Sequence, residues 1–545
     1  MKRTGIFLLL FLSICNVYSQ EYSIEEIEQN ALAFFNECPP IHKANGVVVP
    51  KRKIQSIAPI SRNEHTYFYV VNTIDNAGWA IMVNEKQYDT QVVGFNESGI
   101  FSDEDMPPAL SMLLQQHMDA IDSIRLHGKG SASIGAATPV KTVESPIWLG
   151  SNIWDQSSNN EDKSVAKDCE RVYNKYAVKS KLDINCKRHL VGCGAVAMGQ
   201  IMRYWKWPDY AIIRDTIISG VWHGGKNIRW YDWENMPDSI KNDSPLAEVD
   251  AIAGLLRDCG YAAHSTYHDS GTVAMFKDIQ FAMENTFHYH TKREHEYAWT
   301  DIAPKIISEI DAQRPVLCQA WKSLVNAHSF VIDGYISSNV LYVHINFGWG
   351  GDDNGYYKID YCWGYDGNRT FLTEIYPDCS ARQENVYLAT NEVVRVDKIF
   401  NFYTENDIFV CHNNNSIIVD PGGKMLLRAG NSITLKNGFQ ARAGSKVEMS
   451  IRSSCLDNQP RFAPQRTIRG ENDDNVGVVA LSDSSSELEV NDREIDHYIV
   501  YGIGGQVVVY RLGDNLDISA LPAGFYVVQT VWDDGSVTSE KIVKQ

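Results

Sequence analysis

Residues 189–202 read HLVGCGAVAMGQIM and place one cysteine, Cys193, between two glycines at the start of a run of good helix formers. A thiol in the first turn of a helix lies beside unpaired N–H groups and the positive end of the helix dipole, and both favour the thiolate. A lone cysteine in such a run is more often a small core residue. Cys193 is therefore a candidate nucleophile that needs partners elsewhere in the chain.

Two later stretches supply those partners. Residues 326–335 read NAHSFVIDGY and place His328 at the start of an apolar strand, and residues 343–351 read VHINFGWGG and carry Asn346. Taken singly, each of the two would more often be structural. Amide hydrolysis by a thiol requires a nucleophile, an acid–base partner, an oxyanion donor and a group that orients the base. The order Cys, His, Asn, each in an unusual context, therefore predicts a cysteine peptidase.

Length and charge set the frame for this hypothesis. A chain of 545 residues with 44% hydrophobic and 22% charged residues is expected to form several globular domains. The formal net charge of −18 argues against nucleic-acid binding, because phosphates require a clustered basic face. The sequence also contains no Gly-rich phosphate loop and no GxSxG element.

Residues 1–19 have the pattern of a secretory signal peptide. Lys2 and Arg3 precede an apolar run from Ile6 to Leu12, and residues 17–19 (VYS) form the cleavage context. An uncleaved anchor is the alternative, but the run is well short of the roughly 20 residues that a membrane span requires. The sequence therefore predicts export of the mature chain.

Export makes disulfides possible. Cys169 and Cys186 flank one loop before the Cys193 helix and are a possible pair. The cysteines outside the signal, without Cys193, are odd in number, so at least one more is expected to be free. They form no CxxC pair and no Cys/His cluster of the zinc type.

Residues 20–140 form a first unit. They end in Gly128–Ala137, a Gly-, Ser- and Ala-rich linker that is a natural site for proteolysis. A compact unit joined in this way to a peptidase has the layout of an inhibitory propeptide, although an ordinary accessory domain would have the same layout. The expected elements are helices over Ser23–Phe35 and from Met106, and strands over Tyr67–Val71, Gly78–Val83 and Gln91–Phe95.

Residues 145–385 form a second unit, which holds the candidate site. A helix is expected from Cys193 to about Trp205, and another over Pro245–Cys259 that ends at Gly260. A helical first part and a β-rich second part predict an α+β enzyme with its site between them. The expected strands are Val316–Ala320, Ser329–Ile336, Val340–Asn346 and Tyr356–Ile359.

The remainder of the chain has the pattern of β structure. Residues 386–470 alternate between apolar and polar positions with Gly turns, which predicts a β-rich module. Residues 471–493 are acidic and Ser-rich, and are expected to be a linker. Residues 494–545 again alternate, and predict a small β-sandwich.

The three signature stretches resemble those of the streptopain family of papain-like cysteine peptidases. They are VGC with the following AVAMGQIM, AHSFVIDG and HINFGWGG, and residues 78–81 (GWAI) are similar to the family's propeptide. The resemblance covers roughly residues 20–380. It implies a papain-like peptidase domain at 145–385 behind an inhibitory propeptide at 20–140. It also implies that Cys193 is the nucleophile, His328 the general base and acid, and Asn346 the partner of the imidazole.

The resemblance also implies an oxyanion donor. Trp154-Asp155-Gln156 resembles the family's Trp-Gly-Gln element, whose glutamine donates to the oxyanion, so Gln156 is expected to do the same. Asp155 stands where the family has glycine. The backbone N–H of Cys193 is the expected second donor.

Three residues are expected to bind substrate. Trp349 matches the tryptophan that the family retains, whereas Phe347 stands where the family commonly has another tryptophan beside the asparagine. Either aromatic ring would shield a His–Asn hydrogen bond from water. Ala327 stands before the histidine, where glycine is usual, and would narrow the pocket for the residue preceding the scissile bond.

The C-terminal end resembles the sorting domain of cargo for the type IX secretion system. The matching stretches are residues 516–528 (LDISALPAGFYVV) and 541–544 (KIVK). The resemblance implies transport through the periplasm and outer membrane, secreted or cell-surface localisation, and the type IX machinery as a partner. A small β-sandwich with a Pro-Ala-Gly turn is the plain alternative.

The sequence therefore predicts a secreted cysteine endopeptidase made as a zymogen, with protein or peptide substrates and its own propeptide as inhibitor. No cofactor or metal is expected, because His264, His268, His288, His290 and His295 form no HExxH pattern and residues 352–355 (DDNG) lack a full calcium-loop ligand series. Two alternatives remain open: another thiol acyl-transfer enzyme, and a catalytically silent binding or adhesin protein on a peptidase scaffold.

Overall fold

The computed structural model describes residues 21–37, 52–103, 106–127, 143–157, 169–181, 185–213, 216–218, 221–223, 227–268, 271–294, 299–323, 326–338, 340–358, 369–379, 386–388, 392–395, 399–411, 415–451, 495–502, 507–512, 524–532 and 537–544. The expected signal peptide at 1–19, the linker Gly128–Ala137 and the acidic linker at 471–493 lie outside these residues. Contacts divide the chain into two compact units. Unit 1 comprises residues 1–144, 335–344 and 353–365, and unit 2 comprises residues 145–334, 345–352 and 366–545.

The N-terminal part of unit 1, within residues 1–144, contains helices and strands close to those expected. A strand that the sequence analysis did not predict, Ile54–Arg62, precedes the others. The elements are α1 (Ile24–Glu37), β1 (Ile54–Arg62), β2 (His65–Thr73), β3 (Trp79–Val83), β4 (Val92–Asn96), α2 (Pro108–His127) and β5 (Val143–Glu144).

Local sequence signals set the starts of both helices. Ser23 Oγ accepts the Glu26 N–H at 3.2 Å while Glu26 Oε2 accepts the Ser23 N–H at 2.7 Å, which is a reciprocal capping box. Helix α2 begins at Pro108, where the missing N–H costs no helical hydrogen bond. The buried apolar face of α2 consists of residues spaced three or four apart: Leu110, Leu113, Leu114, Met118 and Ile121.

Residues 145–379 contain helices, small hairpins and longer strands. The helices are α3 (Cys193–Trp205), α4 (Leu246–Ala262), α5 (Phe276–Phe281), which continues as a π-turn over Ala282–Thr286, and α6 (Trp299–Asp311). The hairpin strands are β6 (Tyr210–Ile213), β7 (Thr216–Ile218), β8 (Val221–His223), β9 (Asn227–Trp230), β10 (Thr266–His268) and β11 (Gly271–Val273). The longer strands are β12 (Tyr289–Glu294), β13 (Val316–Ser323), β14 (Asn326–Ser337), β15 (Leu341–Asn346), β16 (Gly355–Lys358) and β17 (Arg369–Pro377).

The sheet of unit 1 is an antiparallel meander, β1-β2-β3-β4, that continues into β16. Strand β16 lies far along the chain, yet Tyr357 pairs with Gly94. A Cβ at Gly94 would lie 2.7 Å from the Tyr357 ring, so only glycine leaves that ring room to cross the strand. Asn96 Nδ2 also donates to the Asn354 carbonyl at 2.8 Å. Residues 353–358 therefore fold with the N-terminal region.

A buried polar cluster, formed by Tyr88, Asp89, His117 and Lys358, lies beside this pairing. The Lys358 side chain is 1% exposed, and its Nζ donates to Asp89 Oδ2 at 2.7 Å. His117 Nε2 donates to the Lys358 carbonyl at 3.1 Å, so Nδ1 is the acceptor for the Tyr88 hydroxyl at 2.6 Å. Burial, together with the Lys358 charge, lowers the pKa of His117 to about 3. We call this group the His117 cluster.

In unit 2, strands β14, β13, β17 and β12 pair in that order, all antiparallel. Helix α3 is buried on every side after its first residue. A Cβ at Gly199 would lie 2.8 Å from Leu256 Cδ2, so this glycine permits close packing of α3 on α4. Together with the strands, these helices confirm the expected α+β class.

The expected end of α4 at Gly260 is wrong. The helix continues to Ala262, and Gly260 lies inside it, where a Cβ would clash with the Tyr267 hydroxyl. A glycine within a helix can thus reflect a close contact rather than a helix end.

Residues 386–451 form a parallel β-solenoid. Each coil contributes one strand to each of three parallel sheets, β18-β21-β24, β19-β22-β25 and β20-β23-β26. This arrangement defines the expected β-rich module over its described part. The strands are β18 (Val386–Leu388), β19 (Glu392–Val394), β20 (Ile399–Thr404), β21 (Asp407–Val410), β22 (Ile417–Val419), β23 (Lys424–Ala429), β24 (Ser432–Leu435), β25 (Phe439–Ala441) and β26 (Lys446–Ile451).

The solenoid packs against the β6–β9 hairpin of the same unit. The Trp230 ring stands edge-on to Phe402 with centroids 4.4 Å apart, and Arg428 Nη1 donates to the buried Asp209 carboxylate at 2.7 Å. The solenoid interior is apolar and includes Val394, Ile408, Val410, Val419, Met425 and Leu427. Aromatic contact and a shielded ion pair therefore join this module to the preceding region.

The described C-terminal residues form one four-stranded antiparallel sheet of order β28-β27-β29-β30. The expected strands are present, but the two layers of a sandwich are not found among the described residues. The strands are β27 (Ile495–Gly502), β28 (Val507–Leu512), β29 (Gly524–Trp532) and β30 (Val537–Lys544).

The cysteines follow the expectation drawn from an exported chain. Cys169 and Cys186, a possible pair in the sequence analysis, form a disulfide. Among the described residues the free cysteines are Cys193, Cys259, Cys318 and Cys411, so Cys193 is not the single free thiol. Within the described ranges, no helix combines the length and apolar character needed to span a membrane.

Candidate active site

The Cys193 thiol lies at the first residue of α3, as the sequence predicts. Gly192 precedes it with φ +95°, a conformation that side-chain-bearing residues rarely adopt, and a Cβ there would lie 3.0 Å from Thr272 Cγ2. A Cβ at Gly194 would lie 2.9 Å from Ile279 Cδ1. The two glycines thus let β11 and α5 pack closely around the helix start that carries the thiol.

The imidazole of His328 meets this thiol. His328 lies on β14 opposite Ala320, is 2% exposed and hydrogen-bonds to Cys193. Its Nε2 donates to the Phe347 carbonyl at 2.9 Å. Because a carbonyl only accepts, the proton on Nε2 leaves Nδ1 as the nitrogen that faces the sulfur. The structure therefore brings together the two residues expected to carry the chemistry.

The surroundings of Cys193 favour its ionised form. Burial of the sulfur opposes ionisation, but the positive charge and hydrogen bond of His328 and the donors of Ser329 outweigh it, so the pKa of Cys193 lies below that of an ordinary thiol. In contrast, burial and the Asp258 charge raise the pKa of the Cys259 thiol well above that range. Of these two thiols, only Cys193 has the electrostatic setting of a nucleophile.

Asn346 lies next to the site but does not contact the imidazole as expected. Its Oδ1 accepts from Gln200 Nε2 and from the Gly348 N–H, both at 3.0 Å, and its Nδ2 donates to the Asn152 carbonyl at 2.7 Å. These contacts engage the amide, and the next carbonyl, that of Phe347, takes the position on His328 Nε2. The expectation of a direct His–Asn hydrogen bond is therefore corrected. Asn346 instead braces the loop that presents this carbonyl.

Gln156 is buried beside the segment that leads into α3. Its backbone carbonyl accepts from the Val191 N–H at 3.0 Å, which ties it to the residue two before Cys193. Asp155 Oδ1 accepts the Ser157 N–H at 2.7 Å and closes a turn, so the aspartate has a local role where glycine was expected. Donation from the Gln156 side chain to an oxyanion stays a prediction.

The three expected substrate-binding residues differ in exposure. Trp349 is partly exposed, and its ring stands edge-on to His328 with centroids 5.5 Å apart. Ala327 is also partly exposed, next to His328 on β14. Phe347 is 1% exposed and packs on Phe330 with centroids 5.8 Å apart. Trp349 and Ala327 can meet a substrate, whereas the buried Phe347 ring supports His328 from the protein interior.

Sequence reasoning missed a group of buried amides around these residues. Gln200 lies on α3 seven residues after Cys193, and its Nε2 donates to Asn346 Oδ1 at 3.0 Å and to Asn152 Oδ1 at 3.1 Å. One helix residue thereby joins the segment before Gln156 to the loop after β15. The available signal was a lone amide in an otherwise apolar helix, on nearly the same face as Cys193.

Sequence reasoning also missed Ser329 and Gln319. The Ser329 N–H donates to Cys193 Sγ at 3.3 Å, and Gln319 Nε2 lies 3.0 Å from Ser329 Oγ. Both are buried polar residues on strands β14 and β13. The signal was present in Ser329 itself, a hydroxyl directly after the candidate histidine.

The histidines outside the site were expected to lie on the surface. Where the structure describes the chain, no three His, Cys, Asp or Glu side chains are grouped in a way that could hold a metal ion. His290 is exposed and stacks on Tyr376, with Nε2 3.3 Å from Glu374. His295 lies outside the described residues.

Comparison with known families agrees with this geometry. Residues 168–357 match the Peptidase C10 family, and residues 20–121 match the Spi protease inhibitor family. The chain therefore contains a Peptidase C10 (streptopain family) domain that follows an inhibitor domain of the Spi type. The resemblance drawn from the three signature stretches is confirmed.

The chain is also similar to individual proteins. The chain is 25% identical over 365 residues to the thiol protease/hemagglutinin PrtT of Porphyromonas gingivalis, an alignment that covers 65% of this chain and 40% of that protein. It therefore spans less than half the length of that relative. A prointerpain A fragment from Prevotella intermedia is 24% identical with a TM-score of 0.46, and covers 59% of this chain and 99% of the fragment. Active interpain A cysteine protease from the same organism is 25% identical with a TM-score of 0.35, covering 43% and 95%.

Proposed function

We propose that this protein is a cysteine endopeptidase made as an inactive precursor. The observation that carries the proposal is the thiol of Cys193, with its lowered pKa, at a helix start beside His328. A thiol that is merely a core residue would have a raised pKa, as Cys259 has. The Peptidase C10 and Spi matches, in that order along the chain, support the same activity.

Hydrolysis begins with attack by the Cys193 thiolate on the carbonyl carbon of the scissile bond. The S–C bond forms, and the carbonyl electron pair moves to oxygen. The Cys193 N–H at the start of α3 and the Gln156 amide are the proposed donors to this oxyanion. His328 then passes its proton to the departing amine, the C–N bond breaks, and an acyl-enzyme remains.

The second half of the reaction releases the acyl group. His328 takes a proton from water, the hydroxide adds to the acyl carbon, and the S–C bond breaks to regenerate the thiolate. The hydrogen bond from His328 Nε2 to the Phe347 carbonyl keeps the ring oriented in both halves. Asn346 contributes by holding that loop, because it accepts the Gly348 N–H directly after Phe347. Trp349 covers the histidine and, with Ala327, lines the proposed substrate site.

Residues 20–140 are the proposed inhibitory propeptide of this enzyme. The match to the Spi protease inhibitor family over residues 20–121 supports this, and the domain folds as one unit with residues 353–357, the end of the peptidase match. Cleavage in the linker before Trp148 would separate the propeptide from the enzyme. Other domain limits stay as proposed: peptidase at 145–385, β-rich module at 386–470, linker at 471–493 and sorting domain at 494–545.

The proposed location is outside the cell. The signal-like segment at 1–19 directs export, and the Cys169–Cys186 disulfide fits an oxidising compartment. The C-terminal sheet is the proposed signal for type IX secretion, which makes that machinery a partner. The peptidase is thus secreted or held at the cell surface, where protein or peptide substrates reach it.

Catalysis is tested with purified wild-type, Cys193→Ala and Cys411→Ala proteins, incubated with casein and with a thiol-reactive epoxide. Cys411 is a free, buried cysteine of the solenoid and provides the matched control. Wild type and Cys411→Ala are expected to cleave casein and to be blocked by the epoxide, and Cys193→Ala to do neither. Casein cleavage by Cys193→Ala at the wild-type rate would end the proposal.

Maturation is tested by following the precursor over time. Cys193→Ala is expected to persist at full length in the absence of other proteases, because self-cleavage needs the thiolate. The wild-type precursor should react with an active-site thiol reagent more slowly than its processed form. Equal labelling rates would contradict inhibition by residues 20–140.

Export is tested by deleting residues from Tyr498 onward. Activity is then compared in culture fluid, on the cell surface and in the periplasm. The deletion is expected to strand active peptidase in the periplasm, because the domain is separate from the catalytic residues. Unchanged activity outside the cell would rule out the sorting role.

A further inference from the structure

Ser329, the residue after the candidate catalytic histidine, contacts the same sulfur. Its backbone N–H donates to Cys193 Sγ at 3.3 Å. Its side chain is also among the groups that lower the pKa of this thiol. Ser329 is 1% exposed, so water does not compete for these donors. One residue thus gives the sulfur a backbone donor and carries a hydroxyl that favours its ionisation.

The direction of the Ser329 hydroxyl is set from the neighbouring strand. Gln319 lies opposite Ser329 on β13, and its Nε2 is 3.0 Å from Ser329 Oγ and 3.0 Å from the Ala274 carbonyl. An amide nitrogen carries two hydrogens, and the carbonyl takes one of them. The other points to Ser329 Oγ, which therefore accepts from Gln319 and keeps its own hydrogen for the sulfur.

We propose that Ser329 is a further catalytic residue, which stabilises the Cys193 thiolate through its hydroxyl as well as its backbone N–H, and that Gln319 is a positioning residue for that hydroxyl. The inference rests on the proposed function, in which this thiolate is the nucleophile. The two donors act before attack, when the charge is on sulfur. They increase the fraction of thiolate and slightly reduce its intrinsic nucleophilicity.

The groups that lower the pKa of this thiol are His328 and Ser329, both on β14, and burial acts against them. Removal of the hydroxyl leaves the His328 charge and the Ser329 backbone donor in place. A hydrogen bond to an ion contributes enough to shift ionisation by about one pH unit. Ser329→Ala should therefore hold about tenfold less thiolate than wild type at a pH below both midpoints.

The test measures alkylation of Cys193 by iodoacetamide across pH 4 to 10, followed by mass spectrometry of the peptide that contains this residue. All variants are compared as full-length protein in the same processing state, and Cys193→Ala gives the background from other thiols. The alkylation midpoint should rise by about one pH unit in Ser329→Ala and stay near wild type in Ser329→Thr, which keeps the hydroxyl. Above both midpoints, the Ser329→Ala rate should equal or exceed that of wild type.

Gln319→Met supplies a second test that leaves Ser329 intact. Its midpoint should shift in the same direction by a smaller amount. The double variant Ser329→Ala/Gln319→Met should shift no further than Ser329→Ala alone, since the two residues act through one hydroxyl. Thermal unfolding identifies any variant that does not fold, and the inference is then judged on the other. A purely structural role for Gln319 would lower the unfolding temperature without moving the midpoint.

Two results would overturn the inference: a Ser329→Ala midpoint equal to that of wild type, or a Ser329→Thr midpoint as high as that of Ser329→Ala. Failure of the proposed function is a different result. In that case wild type would not cleave casein, although the alkylation midpoints could still separate. The peptidase assay adds a matching signature, because loss of kcat/KM in Ser329→Ala should be confined to the acid side of the pH profile.

Discussion

Two buried histidines, His117 in unit 1 and His328 in unit 2, share one hydrogen-bond arrangement but differ in their roles. Each donates from Nε2 to a backbone carbonyl, that of Lys358 at 3.1 Å and that of Phe347 at 2.9 Å. Their other nitrogens differ. Nδ1 of His117 accepts from a tyrosine hydroxyl, whereas Nδ1 of His328 faces the thiol of Cys193.

Nearby charge separates the two further. Burial and the Lys358 ammonium oppose protonation of His117 and lower its pKa to about 3, so this ring stays neutral. The charge of His328 instead favours ionisation of Cys193. The carbonyl contact fixes each ring in place. The partner of the second nitrogen and the nearest charge decide whether the ring is structural or takes part in proton transfer.

The largest expected effect is loss of activity in His328→Ala. Without the imidazole both the thiolate fraction and the proton for the leaving group are lost, so kcat/KM should fall by roughly 10³-fold or more. The measurement is peptide hydrolysis by the processed enzyme. His117→Gln should leave that value unchanged, and a comparable loss in His117→Gln would break the comparison.

The next largest effect is acid destabilisation of unit 1 through His117. The unfolded residue binds a proton below about pH 6.5, while the folded one does so only near pH 3, so stability is complete above pH 6.5 and decreases as pH falls. This linkage should cost about 2 kcal/mol at pH 5 relative to pH 7.5. Hydrogen exchange of the Val92–Asn96 amides in the Cys193→Ala precursor, corrected for intrinsic rates, measures it.

His117→Gln is the control for the acid effect. Glutamine can still donate to the Lys358 carbonyl but does not titrate, so the additional loss between pH 7.5 and pH 5 should disappear. An acid-induced increase in exchange that is the same in both proteins would show that other groups are responsible.

A smaller effect is expected for Gln200→Leu. This change removes the donor shared by Asn346 and Asn152, so the loop that carries the Phe347 carbonyl is held less firmly. We expect kcat to fall about tenfold with little change in KM, because the imidazole is reoriented while substrate contacts remain. Gln280→Leu, an amide change on α5 whose partner is Glu284, is the control. An increase in KM with an unchanged kcat would contradict the positioning role.

The smallest effect is expected for Tyr88→Phe. It removes the hydroxyl that donates to His117 Nδ1 and leaves a buried acceptor unpaired, at a cost of about 1–2 kcal/mol. Slower unfolding of unit 1 at pH 7.5 than in wild type, or no change, would show that this hydroxyl does not stabilise the neutral ring. Exchange of the Val92–Asn96 amides again provides the readout.

The sequence was sufficient to single out Cys193 and His328 as candidates, because each has a local signature. Glycines and helix formers surround the first, and an apolar strand follows the second. The amide contacts were not predictable, since Asn346 meets Gln200 and Asn152 only after distant segments fold together. The expected contact of Asn346 with the imidazole was wrong for the same reason: spacing along the chain does not show which of two neighbouring groups, an amide or the next carbonyl, reaches the imidazole.

The same limit applies to the fold. Alternation predicted the strands of residues 386–451, but strands of three to six residues carry no signal for parallel or antiparallel pairing. The solenoid became evident only from pairs such as Ile408 with Ile433. Its contact with Trp230 and Asp209 depends on three-dimensional packing that no local pattern encodes. His117 likewise was visible only as one residue of an amphipathic helix.

The pairing of β4 with β16 has a consequence for the life of the enzyme after processing. Removal of residues 20–140 would leave the edge of β16 that pairs with β4 without a partner and uncover Tyr357 and Lys358, both of which are buried in the precursor. Unpaired strand edges of this kind recruit other extended chains and promote self-association. The mature peptidase would then be more prone to aggregate than its precursor, in proportion to its concentration. Its solubility would depend on how long the cleaved segment stays bound.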